Sequence, residues 1–343
     1  MLPCRLLLLS LTLLALTACA PSPHDAEPTD DIELWKEATL RFQPLPDTAP
    51  NPENPVTEAK VALGKKLYSD AGLSRNNTVS CNSCHNLATF GVDNEPTSAG
   101  VGGARGERNS PTVLNAAFHR TQFWDGRAKD VEEQAGMPIL NPVEMGIPTE
   151  EFLVNRLAAV DGYPALFADA FPEDDEPLTY HNITRALGAF ERTLITPSRF
   201  DQYLRGDHSA LTSQELSGLQ TFIDIRCATC HNGVNVGAFT FQKFGLNENY
   251  WEHTGSDTID EGRARVTGDE SDRFFFKVAA LRNVEKTGPY FHDGSVETLD
   301  EAIRVMVRIQ LGLDLTDEEI ANVVAFLKSL TGKVPAEAMR PTE

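Results

Sequence analysis

Cys81-Asn82-Ser83-Cys84-His85 recurs 146 positions later as Cys227-Ala228-Thr229-Cys230-His231, and no other feature constrains the chain as tightly. Cys-x-x-Cys-His is the attachment sequence for c-type haem. On a helical turn residues i and i+3 share a face, so two thiols at this spacing reach both vinyl groups of one porphyrin. The histidine that follows presents its imidazole to the iron as proximal ligand. Zinc ribbons place their cysteine pairs about 15–20 residues apart, far closer than here. Neither zinc nor a redox dithiol requires a histidine after both pairs. The motifs therefore predict two covalently bound haem c groups, one on Cys81, Cys84 and His85, the other on Cys227, Cys230 and His231.

A length of 343 residues suggests about two domains, and a hydrophobic fraction of 41% is enough for ordinary cores. The formal charge of −20 argues against a nucleic-acid partner, because phosphate contacts need clustered Lys and Arg. Four of the six cysteines belong to the haem motifs; Cys4 and Cys19 precede the folded part, so no structural disulfide is expected.

Residues 1–18 read as an export signal, with Arg5 ahead of an apolar run from Leu6 to Ala18 that is too short to span a bilayer. Leu16-Thr17-Ala18-Cys19 has the look of a bacterial lipobox, which predicts cleavage before Cys19, acylation of its thiol and a lipid-anchored protein in the periplasm. The stretch 19–52 is a Pro- and acid-rich tether leading to a docking segment, in which Leu34, Trp35, Leu40 and Phe42 are expected to pack on the body. A helical pattern over Thr57 to Tyr68 precedes the first haem motif. A similar one capped by Ser213, carrying Leu216, Leu219, Phe222 and Ile223, precedes the second. Helix then haem motif, twice, is a weak internal repeat. It suggests two mainly α, cytochrome c-like haem domains in tandem with long loops, over residues 53–200 and 201–335. Thr316 and Glu319 form a capping box for the closing helix.

With the stretches CNSCH, SPTVLNAAF, FWDGRA, NPVEMG, CATCH, ALRNV and PYFHDGS in place, the chain resembles the bacterial di-haem cytochrome c peroxidases, a family that includes MauG-like enzymes. The resemblance runs from about residue 53 to 332. It implies a peroxidatic haem on His85 and an electron-receiving haem on His231, with Met306 as the distal ligand of the latter. On its own spacing Met306, flanked by Ile303 and Ile309, reads rather as a core methionine. MauG-like members carry tyrosine there. The resemblance also makes Glu144 the acid–base residue, Gln134 its polar neighbour and Trp124 the bridge between the haems. It implies a calcium ion on Asn109, Thr287 and Pro289, and a homodimer. The implied reaction is reduction of hydrogen peroxide to water with electrons from a small c-type cytochrome or a cupredoxin. The alternatives are a MauG-like oxidase acting on a partner protein, and a di-haem electron carrier with no enzymatic role.

One position departs from the pattern. Many family members have a histidine 16 residues after the proximal one, which caps the resting peroxidatic iron. Here that place is Val101, in Thr97-Ser98-Ala99-Gly100-Val101-Gly102-Gly103. Valine cannot ligate iron, so the peroxidatic site is expected to be open at rest. His119 is the substitute ligand to consider; like His181, His208 and His253, it reads by itself as a solvated loop histidine.

Overall fold

A computed structural model describes residues 28–340 and, from residue 31, their side chains; the expected export signal and Cys19 lie outside the described residues. The chain is mainly helical. Among the described residues one two-stranded sheet pairs β1 (Phe241–Lys243) antiparallel with β2 (Phe275–Lys277), with Phe241 opposite Lys277. Among the described residues no helix is long and apolar enough to cross a membrane.

Two helix crossings organise the body. The Glu58–Ser69 helix begins where the Thr57 side chain accepts from the Lys60 N–H. It turns Leu63 and Leu67 inward and packs on the Tyr180–Glu191 helix. Gly64 lies at the crossing, where a Cβ would stand 1.9 Å from Ala186 O. One turn on, Tyr68 meets Phe190 edge to face at 5.3 Å. The second half repeats this arrangement with the helices Ser213–Asp224 and Asp317–Ser329. A Cβ on Gly218 would stand 1.8 Å from Asn322 O, and Phe222 lies 5.3 Å from Phe326. The repeat thus extends from the helix before each haem motif to its crossing partner. The expected cap is off by one residue. Thr212, not Ser213, caps the helix: its hydroxyl accepts from the Glu215 N–H, and the Glu215 carboxylate accepts from the Thr212 N–H.

Each crossing anchors its own hydrophobic cluster. One runs from Leu63 to Leu194 and includes Tyr68, Met145, Leu187 and Phe190. The other contains Phe200, Leu219, Phe222, Ile303 and Phe326. The Pro28–Arg41 helix joins the second cluster through Leu34 and Ala38, and Phe42 follows just after it. Trp35 Nε1 donates to Tyr203 O at 3.0 Å. Leu40 does not pack as expected and is 81% exposed, because two residues past Ala38 the helix turns it to the far side.

Buried ion pairs tie the segment after that helix to both halves. Arg282 grips Asp201 with two bonds of 2.8 and 2.9 Å, and Asp201 accepts from the Leu45 N–H at 2.7 Å. Arg192 grips Glu132 with two bonds of 2.8 Å and donates to Ala49 O. A charge taken out of water is tolerated only when paired and fully hydrogen-bonded, and both pairs meet that condition.

Candidate active site

The first haem motif forms a single helical turn, Cys81–Cys84, with Ser80 and Ser83 closing a capping box at its start. That turn puts both thiols on one side and leaves His85 at its end. Tyr68 donates from its hydroxyl to His85 O at 2.5 Å, fastening the motif to the first crossing. Burial lowers the His85 pKa and favours the neutral imidazole that a metal needs. In the second motif burial brings His231 down to about 4. Its Nδ1 lies 3.2 Å from Ala279 O, which fixes the ring and leaves Nε2 for a metal.

His85 looks into a cavity of about 560 Å³. Glu144, Gln134, Arg108, Trp124 and Glu191 line the same space. His231 shares a second cavity, of about 170 Å³, with Cys227, Cys230 and Met306 between apolar walls of Phe222, Ile303 and Leu327. In the first motif Cys81 and Cys84 join His85 at a smaller cavity of about 100 Å³ that Gln134 and Glu144 also line. Two thiols and a neutral imidazole at one cavity are what a covalently held porphyrin requires. The residues at both motifs fit haem c.

Trp124 lines both cavities. Its position is fixed from several directions. The indole N–H donates to Asn109 O at 3.0 Å, and Trp124 O accepts from the Lys277 N–H of β2 at 2.7 Å. Asp125, next along, is held by Arg108 at 2.5 Å and by Arg127 at 2.9 Å. Arg108 in turn binds Asp260 through two bonds of 2.6 and 2.9 Å. Gly126 follows at φ +72°, and a side chain there would run into the Phe241 ring of β1. The FWDG turn is therefore one rigid unit.

Glu144 is half-buried, and Asn141 Nδ2 donates to its Oε1 at 2.9 Å. Burial raises its pKa, partly opposed by Arg127 and by the Asn141 hydrogen bond. Val101 lies in a loop docked on this turn: its N–H donates to Glu144 O at 2.8 Å. Gly100 packs so closely there that a Cβ would stand 1.9 Å from Val143 O. The Val101 side chain is 4% exposed, belongs to the first hydrophobic cluster and lines neither haem cavity.

The other predicted residues separate by place. Asn109, Thr287 and Pro289 line one further cavity of about 90 Å³ beside Trp124. Asn109 gives an amide N–H to Glu95 O at 3.0 Å, which leaves its Oδ1 for another partner. His119 also lines that cavity, not the one that His85 faces. Contrary to a solvated reading, its Nε2 is sealed from water without a partner, and its Nδ1 lies 3.1 Å from Lys277 Nζ. His181 is exposed. His208 stands edge-on to Trp35 at 5.4 Å, and His253 meets Glu248 at 2.6 Å.

Two titratable groups beside the cavities escaped the sequence reading. Burial and the nearby Glu132 push Glu191 up to about 8 at the wall of the first cavity. Burial brings the Lys277 ammonium down to about 7 at the wall of the second. Glu191 ends a helix and Lys277 sits in a three-residue strand. Local pattern marks neither, since their burial comes from distant segments.

A family profile described as di-haem cytochrome c peroxidase matches residues 58–209. The chain is 45% identical to the cytochrome c551 peroxidase of Pseudomonas aeruginosa, over 88% of this chain and 87% of that one. It is 34% identical to the methylamine utilization protein MauG of Methylorubrum extorquens, over 94% and 92%. Among solved structures, a MauG-like protein associated with microbial copper homeostasis superposes with a TM-score of 0.77 at 30% identity, over 86% of this chain and 96% of that one.

Proposed function

The chain belongs to the di-haem cytochrome c peroxidase family, on its peroxidase branch, and from that premise we propose that it reduces hydrogen peroxide in the cavity shared by His85 and Glu144. Peroxide takes up two electrons and two protons there and leaves as two waters. When bound, the haem on Cys81, Cys84 and His85 supplies an iron for peroxide, and the haem on Cys227, Cys230, His231 and Met306 supplies one that receives electrons from a donor.

The protein's own groups do the rest. Glu144 takes a proton from one peroxide oxygen and returns it to the departing oxygen, the work of a positioned general acid–base. Asn141 holds one carboxylate oxygen, so the other faces the substrate. Gln134, on the Val131–Leu140 helix that leads into the Glu144 turn, lines the same cavity and orients peroxide. Trp124, wall of both cavities, carries electrons between the two sites.

The observation that carries this reading is the placement of Val101. Its side chain is locked into the hydrophobic cluster while its backbone clasps Glu144. A loop seated this way offers no ligand to the space above His85, and His119 lies in another cavity. The peroxidatic site is then open in the resting enzyme and needs no reductive activation. A methionine rather than a tyrosine at position 306 supports turnover of peroxide over oxidation of a partner protein.

The finer assignments follow from the same reading. Residues 53–200 hold the peroxidatic haem and 201–335 the electron-receiving one. Asn109 Oδ1 with the carbonyls of Thr287 and Pro289 binds calcium, oxygen ligation that suits a hard cation. The donor is a small c-type cytochrome or a cupredoxin, and the Cys19 lipobox holds the exported protein at a membrane.

The test is steady-state turnover of peroxide with reduced cytochrome c. Glu144→Gln should lower kcat by about 10²–10⁴-fold at unchanged haem content. Turnover equal to wild type would remove Glu144 from the mechanism.

A further inference from the structure

We infer that Gln310 is a positioning residue that holds Met306 in place over the second cavity, acting through the turn that follows the methionine. This rests on the reading of Met306 as the axial ligand given above. The Leu299–Met306 helix does not simply end at Met306; it runs on as a π turn over Val307–Leu311 and stops at Gly312, φ +66°. A π turn is wider than an α turn and rarely stands on its own hydrogen bonds; such turns recur at functional sites.

Here the support comes from outside the helix. Gln310 Oε1 accepts from the Gly245 N–H at 2.7 Å and from the Leu246 N–H at 3.0 Å. Its Nε2 donates to Lys243 O at 3.1 Å. Asn247 answers from the same loop: Nδ2 donates to Gln310 O at 2.7 Å and the backbone N–H to Ile309 O at 2.8 Å. Five hydrogen bonds thus tie the π turn to the end of β1 and the loop that leaves it. The loop is shaped for this contact, since Gly245 has φ +92° and a Cβ there would stand 2.5 Å from Glu248 O.

Gln310 and Met306 line the second cavity together with His231. The Gln310 amide is spent on backbone groups, which suits it to hold the ligand rather than to be one. Methionine is unbranched, with three rotatable bonds. Its sulfur stays on one axis only when the backbone beneath it is fixed, and the Gln310 clamp fixes that backbone one turn away.

The experiment compares the purified di-haem protein with Gln310→Leu, Asn247→Ala and a Met306→Leu control. It reads the sulfur-to-iron charge-transfer band of the oxidised protein and the midpoint potential of the second haem. Gln310→Leu should lose more than half of the band and shift the potential downward, with both haems still attached. Asn247→Ala, which removes a single bond of the clamp, should show a smaller loss of the same kind; it carries the test alone if the leucine variant does not fold. A band and potential equal to wild type in both variants would overturn the inference. A wild-type protein without the band, indistinguishable from Met306→Leu, would instead overturn the ligand assignment beneath it.

Discussion

Glu144 shows how one side chain is set for its task by its surroundings. Burial raises its pKa. Proton uptake from peroxide needs the carboxylate, so activity should fall as pH drops through that raised value. The acid limb of the kcat/KM profile should therefore lie above the range of an ordinary glutamate, and the residual activity of Glu144→Gln should show no limb there. A wild-type profile flat down to the ordinary glutamate range would contradict this. Trp124→Phe keeps an aromatic ring of smaller size but removes the indole N–H bond to Asn109 O; both haems should attach normally while electron transfer between them, followed by stopped-flow absorbance, slows. At this scale the sequence was most readable where chemistry dictates a motif, as at Cys81, His85, Cys227 and His231. It was silent where a group gains its character from distant neighbours. Glu191 and Lys277 are ordinary charged residues until the fold buries them. His119 was misread for the same reason.

At the scale of elements, the two crossings carry the burden of shape. Gly64→Ala and Gly218→Ala each push a Cβ onto a facing carbonyl oxygen, at 1.9 and 1.8 Å, which no rotamer change can relieve. Each should cost at least about 1–3 kcal/mol, the usual scale of core overpacking, read as a lower denaturation midpoint. Unchanged midpoints would mean that the helices separate freely. Three of the four crossing helices were legible, the pattern over Thr57 to Tyr68, the one before Cys227 and the closing one with its Thr316 capping box, whereas the Tyr180–Glu191 helix was not. The deeper repeat was also written in the chain as Gly-x-x-x-aromatic, Gly64 to Tyr68 and Gly218 to Phe222. It went unread because a lone glycine in a helix signals weakness until its crossing partner is known. The seating of Val101 was hidden in the same way: its spacing gave the missing ligand, but only the packing against Glu144 shows where the side chain goes.

Two buried ion pairs, Arg282–Asp201 and Arg192–Glu132, tie one N-terminal stretch to both halves of the described chain. Arg282→Met leaves Asp201 charged and unpaired in the interior, and loss of one partner of such a pair costs about 3–5 kcal/mol. Urea unfolding should show it. Burial would raise the Glu132 pKa, but Arg192 and the Asn54 and Asn51 amides outweigh it and bring it down to about 2. A carboxylate with a depressed pKa stabilises the fold above its unfolded value, and that stability is lost as pH falls toward the folded one. Stability should therefore decline below about pH 4.5, and Glu132→Gln should flatten that decline while lowering stability at neutral pH.

Unequal ligation of the two irons is the claim on which the functional account turns. Electron paramagnetic resonance of the oxidised protein as isolated addresses it directly. The account predicts one high-spin ferric signal, from the open site above His85, beside one low-spin signal from the His231–Met306 site. Two low-spin signals with no high-spin component would contradict it.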